Sequence, residues 1–200
     1  MASDTLLPLG AECDSCNEYA GSLETALIHH NRIWPVLMLS GIPGKRGKPR
    51  KRLGGFSRTE KGISVHQRDI AKITFGPGSV DVQLADPAEF DDLKFRRGLY
   101  HMAFNYLTWK KTPDHVLDPR FDPVRRYVRR ASAGESWPYA QVMYPDDRPN
   151  FKLRLTLLDD APGCTVRFIS FLDEFYVDLL NSGNLHAWAR ATLPDCVGLL

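Results

Sequence analysis

The sequence predicts an α+β fold in which antiparallel strands pack with a long central helix. Three observations lead there. Apolar and polar residues alternate in "GISVHQ", "DIAKITF" and "SVDVQLA" between residues 62 and 85, with the turn residues "GPG" at 76–78, which is the pattern of a small antiparallel meander. Asp86-Pro87-Ala88-Glu89 combines an N-cap, a proline at N1 and a capping-box acid at N3, so a helix should open there and run to about Lys111. Strand patterning then returns at Tyr139–Tyr144, Phe151–Leu158 and, across the "DDAPG" turn, Cys164–Leu172.

Ahead of the meander, Asn17 to Met38 carries Leu23, Ala26, Leu27 and Ile33 at three-to-four-residue intervals and meets Pro35 near its end. This is a helical pattern stopped by proline. The next segment, "SGIPGKRGKPRKRLGG", has five glycines and two prolines with few large apolar residues, and is expected to be a loop. On the central helix the buried stripe should be Leu99, Met102, Ala103, Tyr106 and Leu107. Asp118-Pro119 and Asp122-Pro123 repeat the cap-then-proline device, predicting a short helix with Arg125, Arg126 and Arg129. Phe175–Leu180 fits strand or helix equally. The expected organisation is an N-terminal segment 1–43, a basic flexible arm 44–61 and an α+β domain 62–200.

With 200 residues and 43% hydrophobic content, the chain can bury a substantial core. No run approaches the roughly 18 apolar residues of a membrane helix, and the N-terminus lacks the basic and apolar regions of an export signal. A cytoplasmic location and no membrane partner are expected. The net charge of +2 hides segregation: residues 44–61 hold eight Lys/Arg against Glu60. Arg120, Arg125, Arg126, Arg129 and Arg130 form a second basic group. Such segregation can give a nearly neutral protein a positive face. Lys45, Arg46, Lys48, Arg50, Lys51 and Arg52, with Arg125, Arg126 and Arg129, are therefore the candidate nucleic-acid contacts, each neutralised phosphate adding a salt-dependent term. The alternative is a solvated loop. Trp34, Phe56 and Trp109 lie near basic residues and could stack on bases, although core packing is the commoner fate of such rings.

The chemistry-bearing stretch is "CDSCNEYAG", Cys13 to Gly21. It resembles the distal half of an HNH endonuclease of the ββα-metal type, in the branch whose hairpin and helix are pinned by a four-cysteine zinc site. "LYHMAFNYLTWKKTPDHVLDPRFDPVRRYVR" (99–129) resembles the helical segment found downstream in bacterial proteins of that group. The resemblance implies that Cys13 and Cys16 are one arm of a structural zinc site, and that Asn17 supports the catalytic metal loop. It further implies Mg²⁺ or Mn²⁺ for catalysis, DNA as substrate, and an N-terminal zinc-knuckle remnant in the fold. HNH chemistry needs a neutral imidazole to activate water and a hard cation on the scissile phosphate.

Residues 1–12 contain neither histidine nor cysteine, so the family's acidic-His pair and first C-x-x-C are missing. Either the start is truncated or catalysis has been lost. Each residue also has a local reading. Cys13 and Cys16 can be plain thiols, because four zinc ligands are the rule. Asn17 can be an N-cap. His29 and His30 point about 100° apart on a helix and make poor substitutes for the base. His66, His101 and His115 stand singly. Two function classes follow: a metal-dependent DNA endonuclease, whole or truncated, and a non-catalytic nucleic-acid-binding module. A third, a sensor or protein-interaction role for 130–200, has no motif behind it. No Walker or Rossmann glycine pattern and no nucleophile elbow is present.

Overall fold

The computed structural model describes residues 14–28, 52–53, 56–59, 62–65, 70–77, 79–84, 91–132, 134–143, 150–171, 173–193 and 196–199. The chain divides into two compact units: Ile28–Asp91, and a discontinuous unit formed by Met1–Leu27 with Asp92–Leu200. The division differs from the expected one, because the first helix joins the C-terminal part of the chain.

Within Ile28–Asp91 the described elements are β1 (Arg52–Leu53), β2 (Phe56–Thr59), β3 (Gly62–Val65), β4 (Ile70–Gly76) and β5 (Ser79–Leu84). All pairings are antiparallel, as the alternation predicts, but the expected meander is two sheets, β1-β2-β3 and β4-β5. The expected loop at 44–61 also needs correcting, since β1 and β2 fall inside it. Leu53 pairs with Phe56, and Gly54-Gly55 between them in sequence is the composition two-residue hairpin connections favour. Residues 45–51 lie outside the described residues.

The larger unit is mixed helix and antiparallel sheet. Its helices are α1 (Asp14–Ile28), α2 (Asp92–Lys110), α3 (Pro113–Leu117), α4 (Asp122–Arg130) and α5 (Leu185–Thr192), with a 3₁₀ turn at Pro119–Phe121. Its strands are β6 (Ala140–Met143), β7 (Asn150–Leu158), β8 (Thr165–Phe171), β9 (Asp173–Asp178) and β10 (Cys196–Leu199), in the order β10-β6-β9-β8-β7. The ambiguous 175–180 stretch is strand through Asp178. All six positions of β9 are buried, so it shows no alternation from which to tell strand from helix.

Successive residues of β9 face opposite sides of the sheet. Phe175 meets Phe95 of α2 edge-on, with ring centroids 5.6 Å apart. On the other side Tyr176 joins Ala140 and Val142 in a cluster with Leu185 and Ala189 of α5. The sheet is therefore covered on both faces where β6 and β9 run.

The start of α2 corrects the expected one. Asp91 is not helical and α2 begins at Asp92, while the cap at 86–89 lies outside the described residues. Its buried set is Phe95, Gly98, Leu99, Tyr100, Ala103 and Leu107, whereas Met102 and Tyr106 are only half-buried. The expected stripe was too narrow because α2 is covered from more than one side. Gly98 lies close against α1: a Cβ there would lie 2.8 Å from Leu27 Cγ and 2.9 Å from the Leu23 carbonyl. α1 can rest on α2 only because this residue has no side chain.

Tyr100 is the hub of an aromatic cluster. Its ring lies edge-on to Tyr127 and Trp137, which stack 4.7 Å apart, and its hydroxyl donates to the Pro138 carbonyl at 2.6 Å. Such pairs add about 0.5–1.5 kcal/mol each beyond area burial. Burial, with the nearby Asp178 carboxylate second, raises the Tyr100 phenol well above its usual range. Burial also raises Tyr127, and holds Tyr139 at about 12. A phenol raised in the folded state stabilises the fold fully below its unfolded pKa of about 10, and that contribution is lost as pH rises through the folded value. Of the seven tyrosines, these three are expected to ionise only as the protein unfolds in alkali. Phenolate absorbance recorded beside circular dichroism tests this: seven tyrosines titrating with native ellipticity intact would contradict it.

Candidate nucleic-acid interface

The 3₁₀ turn and α4 are set by two aspartates that act differently. Asp118 accepts the Arg120 backbone N–H at 2.9 Å, the capping role its sequence predicts. Asp122 is instead already helical, with Phe121 as N-cap. Its carboxylate pairs with Arg125 one turn on, and an acid in a first helical turn also complements the helix dipole.

α4 buries Val124, Tyr127 and Val128 and leaves Arg126, Arg129 and Arg130 exposed. The 3.6-residue period thus sorts "VRRYVRR" into a core face and a basic face. Arg129 and Arg130 occupy the last turn, where positive charge is favourable. Among the described residues none of these three exposed arginines has an ion-pair partner. With Asp122 and Arg125 they line an open hollow of about 510 Å³.

Arg125 is more committed than its neighbours. It donates to the Val116 carbonyl and to Asp122, and at 3.4 Å to the Asp118 carbonyl. It ties α3 and the 3₁₀ turn to α4 while lining the hollow. Arg97 of α2 does similar work at the other end, donating to the carbonyls of Tyr127 at 3.1 Å and Val128 at 2.7 Å. Carbonyls near the end of α4, which lack intrahelical donors, are thereby satisfied, and the helix is fixed on α2.

Of the residues singled out from the sequence, the structure brings Arg125, Arg126 and Arg129 together, and Arg130 joins them. Arg52 lies on β1 in the other unit. Lys45, Arg46, Lys48, Arg50 and Lys51 lie outside the described residues, as does Cys13. Cys16 and Asn17 fall in the first turn of α1, where only the backbone is described. The N-cap role for Asn17 is corrected, because α1 opens three residues earlier, at Asp14. His101 does not stand alone as its sequence context suggested: Asn105, one turn on, places Nδ2 3.2 Å from its Nε2. The i,i+4 spacing was the available signal.

No three His, Cys, Asp or Glu side chains converge as a metal set among the described residues. Cys13 and Cys16 would supply two ligands of a tetrahedral zinc. Cys164 is poorly suited as a third, since burial, and after it the Asp178 charge, push its thiol up to about 11, whereas zinc takes the thiolate. These residues alone do not make up a complete zinc site.

Two buried polar groupings are structural. Asp178 Oδ1 accepts the backbone N–H of Cys164 and of Leu180, both at 3.0 Å, and Oδ2 that of Ser182 at 2.7 Å. On β9, Glu174 accepts the Tyr176 hydroxyl and lies 3.9 Å from Arg167. No described helix is long and apolar enough to cross a membrane. Comparison of the chain with protein-family models, with curated proteins and with solved structures finds no match in any of the three.

Proposed function

We propose that this chain belongs to an HNH-type, metal-dependent endonuclease acting on DNA phosphodiester bonds, with α4 contacting the phosphate backbone. One observation carries the reading: α1 begins at Asp14 and holds Cys16 and Asn17 in its first turn. That helix belongs to the same compact unit as α2 and α4, whose sequence carries the rest of the resemblance. In this reading Cys13 and Cys16 hold half of a zinc site, Asn17 supports the loop around Mg²⁺ or Mn²⁺, and Arg126 and Arg129 neutralise phosphates. Residues 1–12 offer no histidine as base. The test is therefore made on a protein in which a C-x-x-C and an acidic-His strand precede Cys13. Supercoiled plasmid should be nicked in Mg²⁺ or Mn²⁺, and Asn17→Ala should slow nicking roughly 10- to 100-fold, the scale of residues that orient a metal site. Equal nicking by parent and variant refutes the assignment of Asn17, and no nicking by either refutes the enzyme.

The second reading is a nucleic-acid-binding module without catalysis. The exposed arginines of α4, which have no ion-pair partner among the described residues, favour it, because phosphate binding needs only them.

A further inference from the structure

A second concavity, of about 200 Å³, lies between α1, α2, α3 and α4. Tyr19 of α1 and His101, Phe104, Asn105 and Thr108 of α2 line it, and Arg125 and Arg129 line both it and the arginine hollow. We propose that this cavity takes an unpaired nucleobase from a single-stranded nucleic acid whose phosphates lie on Arg126, Arg129 and Arg130. The inference rests on the nucleic-acid reading above and names the form of substrate that reading leaves open.

Three properties carry it. The first is continuity: a nucleotide joins a planar, largely apolar base to a charged phosphate through one sugar, and the two concavities share Arg125 and Arg129. The second is size, since the cavity is smaller than the roughly 300–1,000 Å³ clefts that hold drug-sized ligands and suits a single ring system. The third is lining. Base recognition combines a ring to stack on with a few polar groups at the base edge. Tyr19 is held in place by Arg97, whose guanidinium lies 5.4 Å from the ring centroid and donates to the tyrosine hydroxyl. A ring fixed before binding loses little entropy when a base stacks on it. Asn105 carries both a donor and an acceptor. The Thr108 hydroxyl donates to the Phe104 carbonyl at 2.9 Å, so its oxygen can accept from a base.

Phe104 and Val116 make this cavity a poorer place for a phosphate than the arginine hollow, since apolar walls raise the cost of desolvating a charge. In a duplex the base is stacked and paired, and extruding it costs a few kcal/mol. Single strands are therefore preferred.

The test uses the intact chain and three fluorescein-labelled probes of equal length: an oligothymidine, an abasic strand with the same phosphates, and a duplex. Fluorescence anisotropy should give the oligothymidine an affinity roughly tenfold above the abasic strand, the scale of one base–aromatic stack. Asn105→Leu and Thr108→Leu, which fill the cavity and remove its polar edge, should each erase that preference and leave abasic and duplex binding unchanged. Equal binding of oligothymidine and abasic strand by the unaltered protein overturns the inference without reference to any variant's folding, and leaves phosphate binding standing. A preference that survives both substitutions also overturns it. Absence of binding to all three probes overturns the nucleic-acid reading as well.

Discussion

Gly163→Ala is expected to destabilise the protein by about 3–5 kcal/mol, the sum of left-handed backbone strain and disrupted buried hydrogen bonds. At this chain length that is a fall in melting temperature of roughly 6–20 °C. Gly163 has φ +64°, and a Cβ built on it would lie 2.2 Å from Asp178 Oδ1 and 2.7 Å from Asp178 Cγ. Neither atom sits on a flexible tip, because Asp178 is 1% exposed and accepts three backbone N–H groups. If the carboxylate moves to admit a methyl group, the N–H groups of Cys164, Leu180 and Ser182 lose their acceptor. Gly134 provides the comparison. It has φ +82°, but a methyl group there would meet nothing within 4 Å, so Gly134→Ala should cost only the strain, about 1–2 kcal/mol. Thermal melts of the two variants measure the difference, and equal losses would remove Asp178 from the explanation.

Replacing Arg126, Arg129 and Arg130 together by glutamine is expected to lower duplex DNA affinity by of order a hundredfold at about 0.1 M salt. The dependence of log K on log salt should become shallower by about 0.9 for each phosphate that is no longer neutralised. The three side chains are exposed, so the fold should lose little beyond the dipole interaction of the last turn, about 0.3–1 kcal/mol per charge. Arg125→Gln should behave differently. It removes the donor to the Val116 carbonyl and to Asp122, so stability should fall before affinity does. Titration of a labelled duplex at several salt concentrations separates the cases. An unchanged slope in the triple variant would move any binding away from α4.

α4 was legible in the sequence because everything that specifies it is local: prolines near its start, valines and Tyr127 on one face, arginines on the other. The α+β class was legible for the same reason, through alternation in β7 and β8. What escaped depends on distant partners. Asp178 acts on Cys164, 14 residues away, and nothing near "YVDLL" announces that its carboxylate will be buried. α5 and β10 were not anticipated: α5 spans only eight residues and its N-cap, Asn184, makes no side-chain capping bond. The buried face of α2 was read too narrowly, since Phe95 and Tyr100 are buried by rings of β9 and of the 137–139 segment, which no periodicity within α2 reveals. The cavity beside α4 draws on four helices, and only its His101–Asn105 pair had a local signature.

The packing of α1 on α2 at Gly98 has a consequence for synthesis on the ribosome. α1 hides Ala20 and Leu23 within a unit whose next segment begins at Asp92, so its partner helix emerges only after all of Ile28–Asp91 has been made. Until then this apolar face has no finished α2 to rest on. The intervening compact unit is in effect an insertion between the two helices of one packed pair, and Gly98, at their contact, has almost no freedom to change.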